Sequence, residues 1–338
     1  MRTAVPVALG LLAACASHPI ALEPRPDAGR HPMPPRVVSA EPSAVADVFP
    51  VRALAPGVYA VPGDSGRGAE GRPNAGFVVT SEGVVTVGGV MSPKQGEALV
   101  RTIQGVTRQP IRWLVLYAHH PDMTFGAIAL KRAGAKIIAH PDGRVLANEA
   151  GPDAEVADWT RVVGLEAMLG FEFADTPDRP VTGTDTLRLG GRELVVIHPG
   201  AAHSAGDLML WLPAERVLFA GDILLEDGVT MVVDGSSRAL LKALDDIDAL
   251  HPQVIVPGHG RIPADPVELV DSTRRYFTAL RSEMRAAAEV GQPMNRALAH
   301  LAPPDETRAV SLNSRLRRNA ARVYLEMERE VMGLGPAD

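Results

Sequence analysis

The sequence predicts an α/β fold of two sheets, each covered by helices on its outer face, with a helical extension at the C-terminal end. Three observations carry this prediction. From Gly57 onward, short apolar runs bounded by Gly and Pro alternate with longer stretches of helical apolar spacing. The alternation comes twice, as strands, helix, strand, helix and then strands, helix, strand, which is the order of two covered sheets. Beyond the second set the pattern is helical only.

Gly57 to Val61, Gly76 to Thr80 and Val84 to Val87 read as three early strands, with turns at Pro62-Gly63 and Ser81-Glu82-Gly83. A helix is expected from Pro93 to Ile103, because Ser92 is a capping side chain and proline suits the first helical turn. The strand Trp113 to Tyr117, a helix from Thr124 to Ala133 and the strand Lys136 to Ala139 complete the first set. The second set comprises strands Thr186 to Leu189, Glu193 to His198, Asp207 to Leu212 and Arg216 to Ala220. A helix from Ser237 to Leu250 then leads to the strand Val254 to Val256. In the tail, Val270, Phe277, Leu280, Met284 and Ala287 fall near helical spacing, as do Leu316, Ala320, Val323, Met327 and Val331. Both segments read as amphipathic helices packed on the domain. The expected organisation is a leader over 1–15, a tether over 16–50, the two-sheet domain over 51–265 and C-terminal helices over 266–338.

Charge narrows the partners. With 34 basic against 40 acidic residues and a net charge of −6, the chain lacks the clustered Lys and Arg that grip a phosphate backbone, so no nucleic-acid partner is expected. A single cysteine forms neither an intramolecular disulfide nor a Cys-rich zinc site.

That cysteine closes the leader. Arg2 precedes an apolar run from Ala4 to Ala14, too short for a bilayer span of roughly 20 residues and suited to the hydrophobic region of a signal peptide. The run ends Leu12-Ala13-Ala14-Cys15, which resembles the lipobox of bacterial lipoproteins, in which the cysteine is lipidated and becomes the mature N-terminus. Two other readings are a cut after Ala16, since Ala14-Cys15-Ala16 also fits small-x-small, and an incidental cysteine. The lipobox reading implies export and a lipid anchor at Cys15, at the periplasmic face of a bacterial membrane and foremost the outer one. Residues 16–50 hold eight prolines, which block helices and sheet ladders and fit an extended tether; His18 and His31 within it have no fixed neighbours and receive no role.

The chemistry lies in four segments, each following a strand: Tyr117-Ala118-His119-His120-Pro121-Asp122-Met123, Pro199 to Asp207 with His203, Ala220-Gly221-Asp222, and Pro257-Gly258-His259-Gly260. Each alone reads as a solvated loop or a turn. Together they supply convergent His and Asp side chains on separate loops, which is how metal sites are built.

On these residues, over Leu54 to Ile262, the chain resembles the metallo-β-lactamase superfamily. The resemblance implies an αβ/βα four-layer sandwich with a metal site at one edge between the sheets. Its signature is His-x-His-x-Asp-His after a strand, then a His in a Gly-rich turn, a bridging Asp and a final Gly-His-Gly. His120 and Asp122 match the second His and the Asp of the signature, and His203, Asp222 and His259 match the later ligands. Gly57-Val58-Tyr59, Asn74-Ala75-Gly76-Phe77, His120-Pro121-Asp122 with Gly126, and Asn319-x-x-Arg322-x-Tyr324-x-Glu326 resemble an exported branch, the quinoprotein relay system zinc metallohydrolases, related to sulfur-oxidation metallohydrolases.

Three positions depart from the signature. Ala118 stands at its first His, Met123 at its last, and Gly88-Gly89-Val90 replaces a buried Asp-Thr-Gly. The family's metal positions are then left with His120, His203 and Asp222, and with Asp122, His259 and Asp222. Each reaches three protein ligands only by claiming Asp222, so one zinc ion is expected in place of two. His119 is a substitute ligand if its ring reaches the site, although a one-residue shift in an extended segment turns a side chain to the other face. Met123 reads either as a soft thioether ligand or as an apolar filler. His140 and His198 read as cleft-lining or buried, hydrogen-bonded groups, His251 and His300 as surface positions, and Ser204 and Asp207 as turn residues. The implied activity is metal-assisted hydrolysis of a small ester, thioester or lactam-type substrate, with Asp122 as the proton acceptor. The alternative is a non-catalytic binding or accessory protein of a periplasmic redox system, with a redox protein as partner.

Overall fold

The computed structural model describes residues 47–64, 71–144, 151–226, 228–299 and 310–335. The leader with Cys15, the tether up to residue 46 and His300 lie outside the described residues. The first sheet holds β1 (Arg52–Ala55), β2 (Val58–Val61), β3 (Ala75–Thr80), β4 (Gly83–Val87), β5 (Ile111–Val115), β6 (Lys136–Ala139) and β7 (Arg179–Pro180) in chain order. It is antiparallel from β1 to β4 and parallel from β4 to β7. The second holds β8 (Thr184–Leu189), β9 (Arg192–Ile197), β10 (Met209–Leu212), β11 (Val217–Leu225) and β12 (Val254–His259), ordered β12-β11-β10-β9-β8. Only β11 and β12 run parallel in it.

Strand alternation sorts the apolar side chains into layers. In β3, β4 and β5, Phe77, Val84 and Leu114 face outward to Leu99 and Ile103 of α1 (Pro93–Val106) and, beyond the short α2 (Pro121–Thr124), to Ile128 and Leu130 of α3 (Ala127–Arg132). Their neighbours Val78, Val85 and Val115 face inward to Leu194, Leu210, Phe219 and Val256 of the second sheet. In β11 the same parity sends Val217 and Phe219 inward, and Leu218 and Ala220 outward. The outward pair meets Leu240 and Leu244 of α5 (Ser237–Leu250) and Phe277 of α6 (Pro266–Glu289). The result is the expected αβ/βα sandwich. Ser92 caps α1 through the Gln95 amide, and Ser236 caps α5 through that of Ala239.

The C-terminal α8 (Val310–Val331) packs on α6 rather than on a sheet, with Ala320, Val323 and Met327 against Leu280 and Met284. Among the described residues no helix is long and apolar enough to cross a membrane.

Several details depart from the sequence reading. β1, the short α7 (Met294–Ala299) and α4 (Pro152–Val163) were unforeseen, and α4 buries none of its residues, so it carries no apolar stripe to read. The expected helix over Thr124 to Ala133 is two pieces, the first opening at Pro121 with the ring in the first turn. β5 ends at Val115, two residues early, which frees Tyr117 and Ala118 from the sheet. β11 continues past Gly221 to Leu225 through a register shift, so Asp222 lies within the strand instead of in a turn after it.

Candidate functional site

Five expected residues meet at one edge of the sandwich. His120 is the capping residue of α2, and Asp122 lies in that helix's first turn. His203 belongs to the β9–β10 connection, Asp222 to β11, and His259 ends β12. The Nε2 of His203 lies 3.0 Å from His120 Nδ1 and 3.4 Å from Asp222 Oδ2. These separations bracket the edge of about 3.3 Å that ligand atoms about 2.0 Å from a tetrahedral zinc would span. His259 Nε2 lies 3.0 Å from Asp122 Oδ2 and 3.9 Å from Asp222 Oδ1. Asp222 joins both groups, and its Oδ1 is buried with no hydrogen-bond partner among the described residues. A buried carboxylate oxygen left in this way is costly unless something electropositive meets it, so the donor set fits a metal ion.

The second sheet braces its contributions. Asp207, 3% exposed, accepts hydrogen bonds from the amides of His203 and Ser204 and from the Ser204 hydroxyl, tying the His203 turn to one carboxylate. His203 Nδ1 meets the Met231 carbonyl at 2.7 Å. That carbonyl can only accept, so the proton sits on Nδ1 and the Nε2 lone pair points into the site. Gly258 passes directly beneath Asp222, where any Cβ would overlap Oδ1. Asn74 donates to the carbonyls of Pro257 and Gly260, fastening the His259 turn to the start of β3.

Burial sets the electrostatics. It pushes His120 well below the ordinary imidazole range, and the neighbouring His203 and His119 add to the effect, leaving a neutral ring. Burial raises the carboxyl of Asp122, but the hydrogen bond and charge of His259, with His120 and His203, outweigh it and hold the group below its usual value. The same pairing lifts His259 against its own burial. Asp222 is raised, by burial first, and the nearby Asp122 charge adds to this. Tyr117, fully buried with an unpartnered hydroxyl, is raised well above its ordinary value by burial and by Asp222.

His119 joins neither of the two groups built on Asp222, and residues 116–120 are not strand, so strand parity does not decide where its ring lies. Its Nε2 lies 3.8 Å from Asp234 Oδ2, and its ring centroid 4.7 Å from that of His120. Met123 is fully buried in the apolar layer between the sheets. Gly88 adopts φ +81, and a Cβ there would sit 3.2 Å from the Tyr117 ring and 3.3 Å from the Asn74 carbonyl. The rings of His140 and His198 are tilted with centroids 4.2 Å apart and join neither metal group, and His198 Nδ1 is hydrogen-bonded to the Asp207 carbonyl. The sequence reading missed Asp234, Asn74 and the bracing carboxylate of Asp207. Asn74 and Asp207 stood inside quoted motifs, whereas Asp234 had no signal, because its partner His119 is 115 positions away.

Residues 68–259 match the family described as the Metallo-beta-lactamase superfamily, which is more than half of the chain, and the protein belongs to it. A segment of 104 residues is 31% identical to the metallo-beta-lactamase type 2 of Bacteroides fragilis, covering 29% of this chain and 41% of that protein. The type 2 enzyme of Bacillus sp. (strain 170) is 22% identical over 204 residues, 57% of this chain and 69% of its own. A metallo-beta-lactamase family protein of known structure from Thermus thermophilus superposes with a TM-score of 0.62 over 85% of this chain and 97% of its own, at 20% identity. The fold and the superfamily are thereby shown.

Proposed function

We propose that the protein is an exported metallohydrolase that uses a single zinc ion held by His120, His203 and Asp222. The observation that carries this reading is the approach of His203 Nε2 to His120 and Asp222 at 3.0 and 3.4 Å, beside a buried carboxylate oxygen with no other partner. With these three residues as ligands, a zinc ion would supply polarisation of a substrate carbonyl or ester oxygen and would bring the pKa of a water toward about 7. Asp122 holds the proton-accepting role, since its pairing with His259 keeps it ionised at neutral pH. The neutral ring of His120 and the Nε2 of His203 stay available as ligands. Esters, thioesters and lactams are the substrate classes, and the quinoprotein relay branch is the narrower assignment.

Protein purified without added metal should carry about one zinc per chain and hydrolyse a member of a lactam, thioester and ester panel. Chelation should abolish that hydrolysis and zinc should restore it. A folded, zinc-loaded protein inert across the panel would transfer the reading to a binding module that serves a periplasmic redox protein. The burial of Met123 in place of a ligand histidine favours that second reading. The anchor reading rests on Cys15: Cys15→Ser should move the protein to the soluble fraction, and an unacylated wild-type N-terminus would refute it.

A further inference from the structure

The groups described so far do not use the His119 side of the cleft. We infer that His119, His120 and Asp234 form a second seat for the same divalent transition-metal ion, sharing His120 with the His203–Asp222 seat, so that one ion has two alternative positions. The inference extends the metal-site reading above and adds two ligands outside the family signature.

One ligand atom from each of the three residues lies within 4.8 Å of the others, with His119 Nε2 and Asp234 Oδ2 at 3.8 Å. Two imidazoles and one carboxylate are a donor set that first-row divalent ions accept. The other polar atom of each side chain, His119 Nδ1 and Asp234 Oδ1, is buried with no hydrogen-bond partner among the described residues, so neither residue's polar capacity is used up within the chain.

Asp234 is also held as a ligand must be. Its Oδ2 accepts from the Ala205 amide, the adjoining Val233 amide donates to the His203 carbonyl, and Ser236 donates to Ala201, so the segment is stitched to the His203 turn. From the other side, Asn319 accepts from Val232 and donates to Thr230, and Arg322 donates to the Gly235 carbonyl. Residues 230–236 are thus clamped between the metal edge and α8. Such preorganisation has no structural need of a carboxylate at Asp234 that leaves one oxygen bare. Where the family signature has a histidine at Ala118, this chain offers His119 and a carboxylate from another loop.

The test uses the full chain, stripped by chelation and titrated with Zn2+ and Co2+. Asp222→Asn should weaken zinc binding about 100-fold yet keep one equivalent of Co2+, with visible bands changed from the wild type. Asp234→Asn should leave the tight seat and one equivalent. The double variant Asp222→Asn with Asp234→Asn, or Asp222→Asn with His119→Ala, should lose Co2+ binding. If Asp222→Asn misfolds, His203→Ala replaces it, since that change also reduces the first seat to two ligands. Equal Co2+ binding by the single Asp222→Asn and double variants, or none by the single, overturns the second seat and leaves the first standing. Unchanged zinc affinity in Asp222→Asn, with loss in Asp234→Asn, would overturn the first seat and leave the second. A wild type that binds neither metal overturns both.

Discussion

The two sheets supply the site unequally. The second contributes His203, Asp222 and His259, each fastened: His203 by the Asp207 carboxylate and the Met231 carbonyl, Asp222 by a glycine that leaves no room beneath it, and the His259 turn by Asn74. The first contributes only the segment from Tyr117 to Met123. There the Tyr117 hydroxyl and the His119 Nδ1 are buried with no partner among the described residues, and Met123 is buried in the apolar layer. The difference teaches where ligand geometry is stored. It lies in the hydrogen bonds behind the ligands. On the first sheet Gly88 offers no side chain to brace the segment that carries His120 and Asp122.

The largest effect should come from the fastened side. Asp222→Asn removes the one carboxylate common to both family groups and should lower zinc affinity about 100-fold, the upper end of what losing even a supporting hydrogen bond costs. Equilibrium competition with a chromogenic chelator measures this, and a change under about threefold would erase the asymmetry. On the first sheet, Met123→His should not supply a ligand. The side chain is fully buried among apolar neighbours, so an imidazole there loses packing and buries a polar ring, costing about 2–3 kcal/mol of stability in denaturant unfolding. Gly88→Asp would not help it, because the left-handed backbone and the Tyr117 ring at 3.2 Å oppose a side chain. A stable double variant that gains a second zinc would show that the first sheet keeps its family geometry.

Much of this was legible before the fold was known, and the pattern of failure is physical. Segments bounded by Gly and Pro brought His203, Asp222 and His259 to one edge, although only His259 ends a strand, while Asp222 lies inside β11 and His203 in the β9–β10 connection. α1 was legible from its serine cap and first-turn proline, whereas α4, with nothing buried, was not. Strand parity says nothing of His119, because the strand stops at Val115. Asp234 lies in an unpatterned loop, and only tertiary contact through α8 and the His203 turn gives it a role.

The bracing can be attacked without touching a ligand. Asp207→Ala leaves the buried amides of His203 and Ser204 without an acceptor, which should cost about 1–3 kcal/mol of stability. It should also weaken zinc binding by about 10-fold or more, since the His203 turn is no longer held. Asp207→Asn should recover part of both losses, as an amide oxygen still accepts one of the bonds. If the alanine variant is destabilised but binds zinc as the wild type does, ligand placement on the second sheet comes from the strands alone.

The smallest expected effect reaches the site from farthest away. Asn319 is fully buried in α8; its Oδ1 accepts from the Val232 amide and its Nδ2 donates to the Thr230 carbonyl, so one side chain closes the segment that leads to Asp234. Asn319→Ala removes these two hydrogen bonds and a longer one to the Tyr276 hydroxyl, and leaves two buried backbone groups unpaired, which should cost about 1–2 kcal/mol. The segment is also tied to the His203 turn through Val233, so zinc affinity should fall only about twofold to fivefold. Hydrogen exchange should rise first at Val232 and Val233, and should stay unchanged at the Gly258–His259 turn, which Asn74 holds independently. Exchange rising equally in both places would mean that α8 steadies the whole second-sheet edge, and the contrast between the sheets would then owe as much to the C-terminal helix as to the strands.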